Sequence, residues 1–193
     1  DTRGHDSEAF RGPHGIYHGA DGMSKERMLL RTPLKFTRIS SNFNLHRKHP
    51  VLGYTRAHKG TDFAAPMGTP VKASGNGKVE FAGWHGGHGK YIKVRHNGTY
   101  ETAYAHLSRF AKGIQPGKRV TQGQVIGYVG STGMSSGPHL YYEGIVNGSF
   151  GNALTAKLPV GMPIDRKQKG VLTQLVAEAR NAWANAPREV AEL

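Results

Sequence analysis

The chain has 193 residues, 27 of them glycine, no cysteine, and a formal net charge of +13. That length supports one ordinary domain with appended segments, and the missing cysteines exclude disulfides and thiolate metal sites, so a metal would need His, Asp, Glu or an unusual oxygen ligand. The positive balance favours a polyanionic neighbour such as an anionic membrane surface or cell-wall polymer. Nucleic acid is not expected, because no aromatic-basic RNA motif or basic recognition helix is present.

Residues 1–33 read as an irregular arm or the remnant of a preceding domain, with a short helix around Lys25 to Leu30. The chain starts at Asp1 without a charged-then-apolar leader, as expected of a fragment of something longer. Leu34, Phe36 and Thr37 predict a strand, followed by a Ser40-Ser41-Asn42 turn and a long loop carrying His46, Arg47, Lys48, His49 and Pro50. Between Asp62 and Phe150 the punctuation becomes regular. Strands are predicted at Val71–Ala73, Lys78–Ala82, Tyr91–His96, Tyr100–Leu107, Lys118–Val120, Gln124–Val129 and His139–Val146, with turn signals at Asn97-Gly98 and Asn147-Gly148.

Scattered glycines and short strands every 8–12 residues or so predict a mostly β fold. Antiparallel sheets would form an open sandwich or barrel-like cleft domain over 34–160. Residues 161–193 form a C-terminal helical extension. Val171, Leu172, Leu175, Val176, Ala179 and Trp183 fall at helical spacing, and that stripe is expected to pack on the sheet. No run of about 18 apolar residues exists, so no transmembrane segment is expected.

Three segments carry candidate chemistry. His58 and Asp62 are four apart with Gly60 between them, on an extended or turned segment. His139, Tyr141 and Glu143 share one face of a strand, because side chains repeat every second residue, with Leu140 and Tyr142 facing the core. His106 ends the strand Tyr104-Ala105-His106. His46, His49, His85, His88 and His96 read as surface histidines, although His88 and its glycine-rich loop can line a groove.

Pro50 to Asn147 resembles the zinc endopeptidases of the lysostaphin and LytM type, peptidase family M23, which cut peptide cross-links of bacterial peptidoglycan. The matching pieces are His58-Lys59-Gly60-Thr61-Asp62, Ala65 to Val71, Gly75 to Val79, Tyr104-Ala105-His106-Leu107 and Gly137-Pro138-His139-Leu140 with Tyr142-Glu143. Arg38 to Asn44 looks like the lead-in segment of the Gram-negative members. The resemblance implies Zn2+ on His58 and Asp62, with His106 and His139 as the two non-ligand histidines that handle water and oxyanion. It places the chain in the periplasm or cell envelope, with peptidoglycan cross-link peptides as substrate.

The third ligand of the family, the second histidine of a His-x-His pair, is Tyr141 here. Three readings stand open. The phenol ligates zinc as a phenolate; or the position is lost, leaving His58 and Asp62 alone; or His139 swings in as ligand and leaves His106 to carry protons. The alternative function is a non-catalytic LytM-like module that binds peptidoglycan or regulates another cell-wall hydrolase.

Overall fold

A computed structural model describes residues 8–12, 17–25, 28–46, 57–152, 154, 155, 161, 164 and 166–185. It divides into two compact units, one drawn from 1–28 and 158–193 and the other from 29–157.

In the smaller unit β1 (Phe10–Arg11) and β2 (Tyr17–His18) pair antiparallel, and α1 covers Arg166–Ala184. The apolar stripe of α1 is narrower than its spacing suggests: Leu172 and Val176 are buried, while Val171 and Trp183 are exposed. Within its own unit, Gly22 lies beside Ile164 and Leu172, the Ile164 N–H donates to the Gly22 carbonyl at 2.9 Å, and Arg180 pairs with Glu8. The helix expected around Lys25 to Leu30 is not found among the described residues there.

The larger unit holds β3 (Arg38–Ser41), β4 (Thr61–Ala64), β5 (Pro70–Lys72), β6 (Gly77–Trp84), β7 (Lys90–Arg95), β8 (Tyr100–Phe110), β9 (Arg119–Val120), β10 (Val125–Val129), β11 (His139–Val146) and β12 (Ser149–Gly151). All pair antiparallel in the order β3-β4-β11-β8-β7-β6-β9; β12 joins β11, and β10 joins both β5 and the far end of β8. The ends of this path, β3 and β9, are not partners, so the sheet stays open rather than closing into a barrel. The strand expected at Leu34–Thr37 falls instead at Arg38–Ser41. Leu34 is buried in the core, whereas Phe36 is exposed and lays its ring on Phe63 with centroids 4.8 Å apart. Arg47 to Pro50 lie outside the described residues.

Alternation sorts the strands into two faces. Phe63, Val79, Ile92, Val94, Tyr104, Leu107, Ile126, Leu140 and Tyr142 form the main core, where each such side chain contributes roughly 1.5–3 kcal/mol when fully buried. A smaller cluster of Phe81, Tyr91, Ala103, Ala105 and Tyr141 packs separately. The core also carries a polar chain. The Ser74 N–H donates to the Tyr104 hydroxyl at 2.8 Å, Tyr104 meets Thr102 Oγ1 at 2.8 Å, and Thr102 meets His96 Nε2 at 2.8 Å. His96, expected at the surface, is therefore half-buried and bonded.

β8 breaks the alternation once. Lys90 pairs with Leu107 and Ile92 with Tyr104, so two steps along β7 match three along β8. The extra residue is absorbed at His106, whose φ is +59°. This bulge lets Tyr104 and Leu107 both enter the main core while Ala105 and His106 both turn away from it, a common device for re-aiming a side chain beside a site.

Candidate metal centre

β4 and β11 build the centre. Thr61 and Phe63 point inward and are buried, which leaves Asp62 on the opposite face, directly across the ladder from Tyr141. His58 is fixed by a two-way backbone bridge to Asn44, at 2.8 and 2.9 Å. From there its Nε2 reaches Asp62 Oδ2 at 3.1 Å. His139, at the start of β11, places Nε2 3.6 Å from Asp62 Oδ1, and its ring lies 4.7 Å from that of His106. His58 and Asp62, four residues apart, thus meet His106 and His139 from distant parts of the sequence.

Hydrogen bonds orient the three imidazoles alike. Each Nδ1 stands 2.8 Å from a backbone carbonyl: Asn42 for His58, Thr132 for His106 and Gly137 for His139. A carbonyl only accepts, so each Nδ1 carries a proton, and each ring turns its Nε2 toward the centre. This is how ligating and proton-carrying histidines are commonly held. Burial pushes the His106 pKa below its ordinary value against the pull of the Thr132 carbonyl, and the His139 ring lowers it further.

Two consequences bear on a cation. His58 Nε2 and Asp62 Oδ2 are both acceptors at 3.1 Å, an arrangement stable only with a proton or metal between or beside them. Asp62 Oδ1 is buried and has no hydrogen-bond partner. His58 and Asp62 therefore fit two of the ligand places that zinc requires. The third place does not match so well. Among the described residues no three His, Cys, Asp or Glu side chains stand together closely enough to hold an ion.

Tyr141, the residue the resemblance puts third, is nearly buried, with its ring 5.3 Å from His58 and 6.1 Å from His106. Burial first, and then the nearby Glu143 carboxylate, hold its pKa above the ordinary phenol value. Glu143 accepts from the Tyr91 hydroxyl at 3.1 Å, and burial raises its own pKa. Sequence reasoning assigned no role to Glu143, although its position two residues after Tyr141 placed both on one face. His88 lines the same wall, its ring 5.5 Å from that of Tyr141, with its pKa lowered first by burial.

A family model described as Peptidase family M23 matches residues 56–153. The chain is 46% identical over 155 residues to the peptidoglycan DD-endopeptidase ShyC of Vibrio cholerae, covering 80% of this chain and 35% of that protein. It is 50% identical over 127 residues to the DD-carboxypeptidase/endopeptidase Mpg of Neisseria meningitidis, covering 66% of this chain and 29% of that protein. Among solved structures, a zinc-containing peptidase from Vibrio cholerae superposes with a TM-score of 0.67 at 39% identity, covering 81% of this chain and 48% of the other. The chain thus spans about a third of the length of these two curated relatives.

Proposed function

The chain belongs to peptidase family M23, and from that premise we propose that it hydrolyses peptide cross-links of bacterial peptidoglycan with water activated at a zinc ion. The observation that carries the reading is Asp62: a half-buried carboxylate with one buried, orphaned oxygen, flanked by the Nε2 atoms of His58 and His139. Zinc would be held by His58 and Asp62, with Tyr141 at the third position. Bound there it would polarise the scissile carbonyl and lower the pKa of a water molecule.

The remaining steps belong to the histidines. His106 Nε2, a lone pair held inward by the Thr132 carbonyl, accepts a proton from water as its oxygen bonds to the carbonyl carbon. The imidazolium then returns that proton to the leaving amine as the C–N bond breaks. His139, anchored at Nδ1 by Gly137, becomes a donor to the oxyanion when its Nε2 is protonated. The lowered pKa of His106 keeps the ring in its accepting form at neutral pH. A cell-envelope location and an anionic wall polymer as neighbour follow from the same reading, and the net charge of +13 suits them.

One observation favours a second reading, a module that binds the wall without cutting it: among the described residues no third His, Cys, Asp or Glu joins His58 and Asp62 closely enough to hold an ion. Zinc content by elemental analysis and release of soluble fragments from purified sacculi separate the two. The expected result is weak zinc loading and slow release for the chain as it stands, a gain in both for Tyr141→His, and loss of both for Asp62→Ala. Sacculus binding with no release, even by Tyr141→His, would establish the module instead.

A further inference from the structure

We propose that Thr132 is a positioning residue for His106: its hydroxyl ties β7 to β8 at the bulge while its carbonyl holds the imidazole. The proposal rests on the reading of His106 as the proton carrier.

The hydrogen bonds of this one residue carry the argument. The Thr132 hydroxyl accepts from the Lys90 N–H of β7 at 3.0 Å and donates to the Leu107 carbonyl of β8 at 2.7 Å. Lys90 and Leu107 face each other across the ladder where its register shifts. The hydroxyl therefore stands between backbone groups of opposite strands, beside the extra residue that the bulge absorbs. The carbonyl of the same residue accepts from His106 Nδ1 at 2.8 Å. Thr132 thus grips both the backbone that follows His106 and the outer nitrogen of its ring.

Such a grip answers a need. His106 has a φ of +59°, a backbone state that a histidine keeps only where its surroundings over-determine it. Thr132 is itself held in place. Two residues on, the Met134 N–H donates to the Gly87 carbonyl at 2.7 Å, which docks this segment on the glycine-rich loop. Gly89 has a φ of +65°, and a Cβ there would come 2.5 Å from Thr132 Oγ1, so the loop closes over the hydroxyl only with glycine at that position. A hydroxyl suits the place because one atom both accepts and donates. Thr132→Val keeps the branched shape and leaves the Lys90 N–H and the Leu107 carbonyl without that partner, whereas Thr132→Ser keeps the bonds.

The test follows the ring Nδ1 protons by NMR on isotope-labelled histidine, with the His106 signal assigned through His106→Ala. His58 and His139, whose Nδ1 atoms face other carbonyls, serve as internal controls. In Thr132→Val the His106 ring proton is expected to exchange with water about tenfold faster or more, with the two control signals unchanged. In the Tyr141→His background, Thr132→Val should lower kcat on soluble cross-linked peptidoglycan fragments about 10- to 100-fold, with KM within about twofold and zinc content unchanged. Thr132→Ser should restore both the signal and kcat. An unchanged His106 signal and kcat in Thr132→Val, with His106→Ala inactive, overturns the proposal and leaves His106 as the proton carrier. Equal loss of all three ring protons shows a general loosening and overturns it too. Undiminished hydrolysis by His106→Ala overturns the reading of that histidine and the proposal with it. If Thr132→Val does not fold, Thr132→Cys, whose thiol bonds weakly in the same place, decides by the same two measurements.

Discussion

At the scale of single residues, the centre is crowded in a way that makes small changes informative. Gly60→Ala would set a methyl group against both the Tyr141 ring and the Tyr142 carbonyl oxygen, each 2.7 Å away. The ring can shift but the backbone oxygen cannot. The expected cost is about 1–3 kcal/mol, read from denaturant midpoints. Combining Gly60→Ala with Tyr141→His should recover only part of it, since the carbonyl remains. His106 offers a cleaner test of chemistry. In the Tyr141→His background, His106→Ala should lower sacculus hydrolysis by about 100-fold or more with zinc content unchanged, because a proton carrier is removed and no ligand is. A parallel loss of zinc would show that His106 holds the ion instead.

At the scale of elements, β8 separates folding from aim. Its bulge places two consecutive residues on the site side, at the expense of a positive φ in a histidine. Deleting Ala105 would leave Tyr104, His106 and Leu107 in ordinary alternation, with both core residues still inward. That variant is expected to fold with an unfolding midpoint at or above the parent's, yet to lose hydrolysis in the Tyr141→His background, since the imidazole moves by about one residue's rise, ~3.3 Å. An unfolded deletion variant would refute the assignment of the bulge. The polar chain through the core makes a second prediction. Its outer member, His96, has a pKa lowered by burial, with the Asn76 carbonyl working against the shift. The unfolded chain therefore takes up a proton near pH 6.5 before the folded chain does. Stability should be level above about pH 7.5, fall as pH drops through 6.5, and level again below the folded pKa. His96→Gln should remove that portion of the slope in denaturation curves recorded across the range.

At the scale of the whole molecule, charge and register dominate. A net charge of +13 predicts that retention on anionic sacculi weakens as sodium chloride rises from about 0.05 to about 0.5 M, where the screening length contracts severalfold. Retention indifferent to salt would point to shape alone. Much of this architecture was legible beforehand, because alternation and Asn-Gly turns are local signals. Leu140 and Tyr142 are inward and His139, Tyr141 and Glu143 are opposite, as their spacing requires. Other features had no local signal. Nothing in the sequence marks a histidine for positive φ, and the two-residue strands of β1 and β2 are too short to display a period. Leu34 looks like part of a strand because burial, not pairing, selects it, and Phe36, itself exposed, packs against Phe63. Glu143 draws its importance from Tyr91, which is 52 residues away. β11 also carries a constraint of its own. It pairs with β4, β8 and β12 while lending one edge of its side chains to the interior and the other to chemistry. A slip of one residue would exchange the two sets, turning His139 and Glu143 into the main core while stranding Leu140 and Tyr142 on the site side. Such a molecule would lose its greasy centre and its reactive pocket in the same stroke, so misregistered chains should surface together as inactive, sticky species rather than as half-working ones.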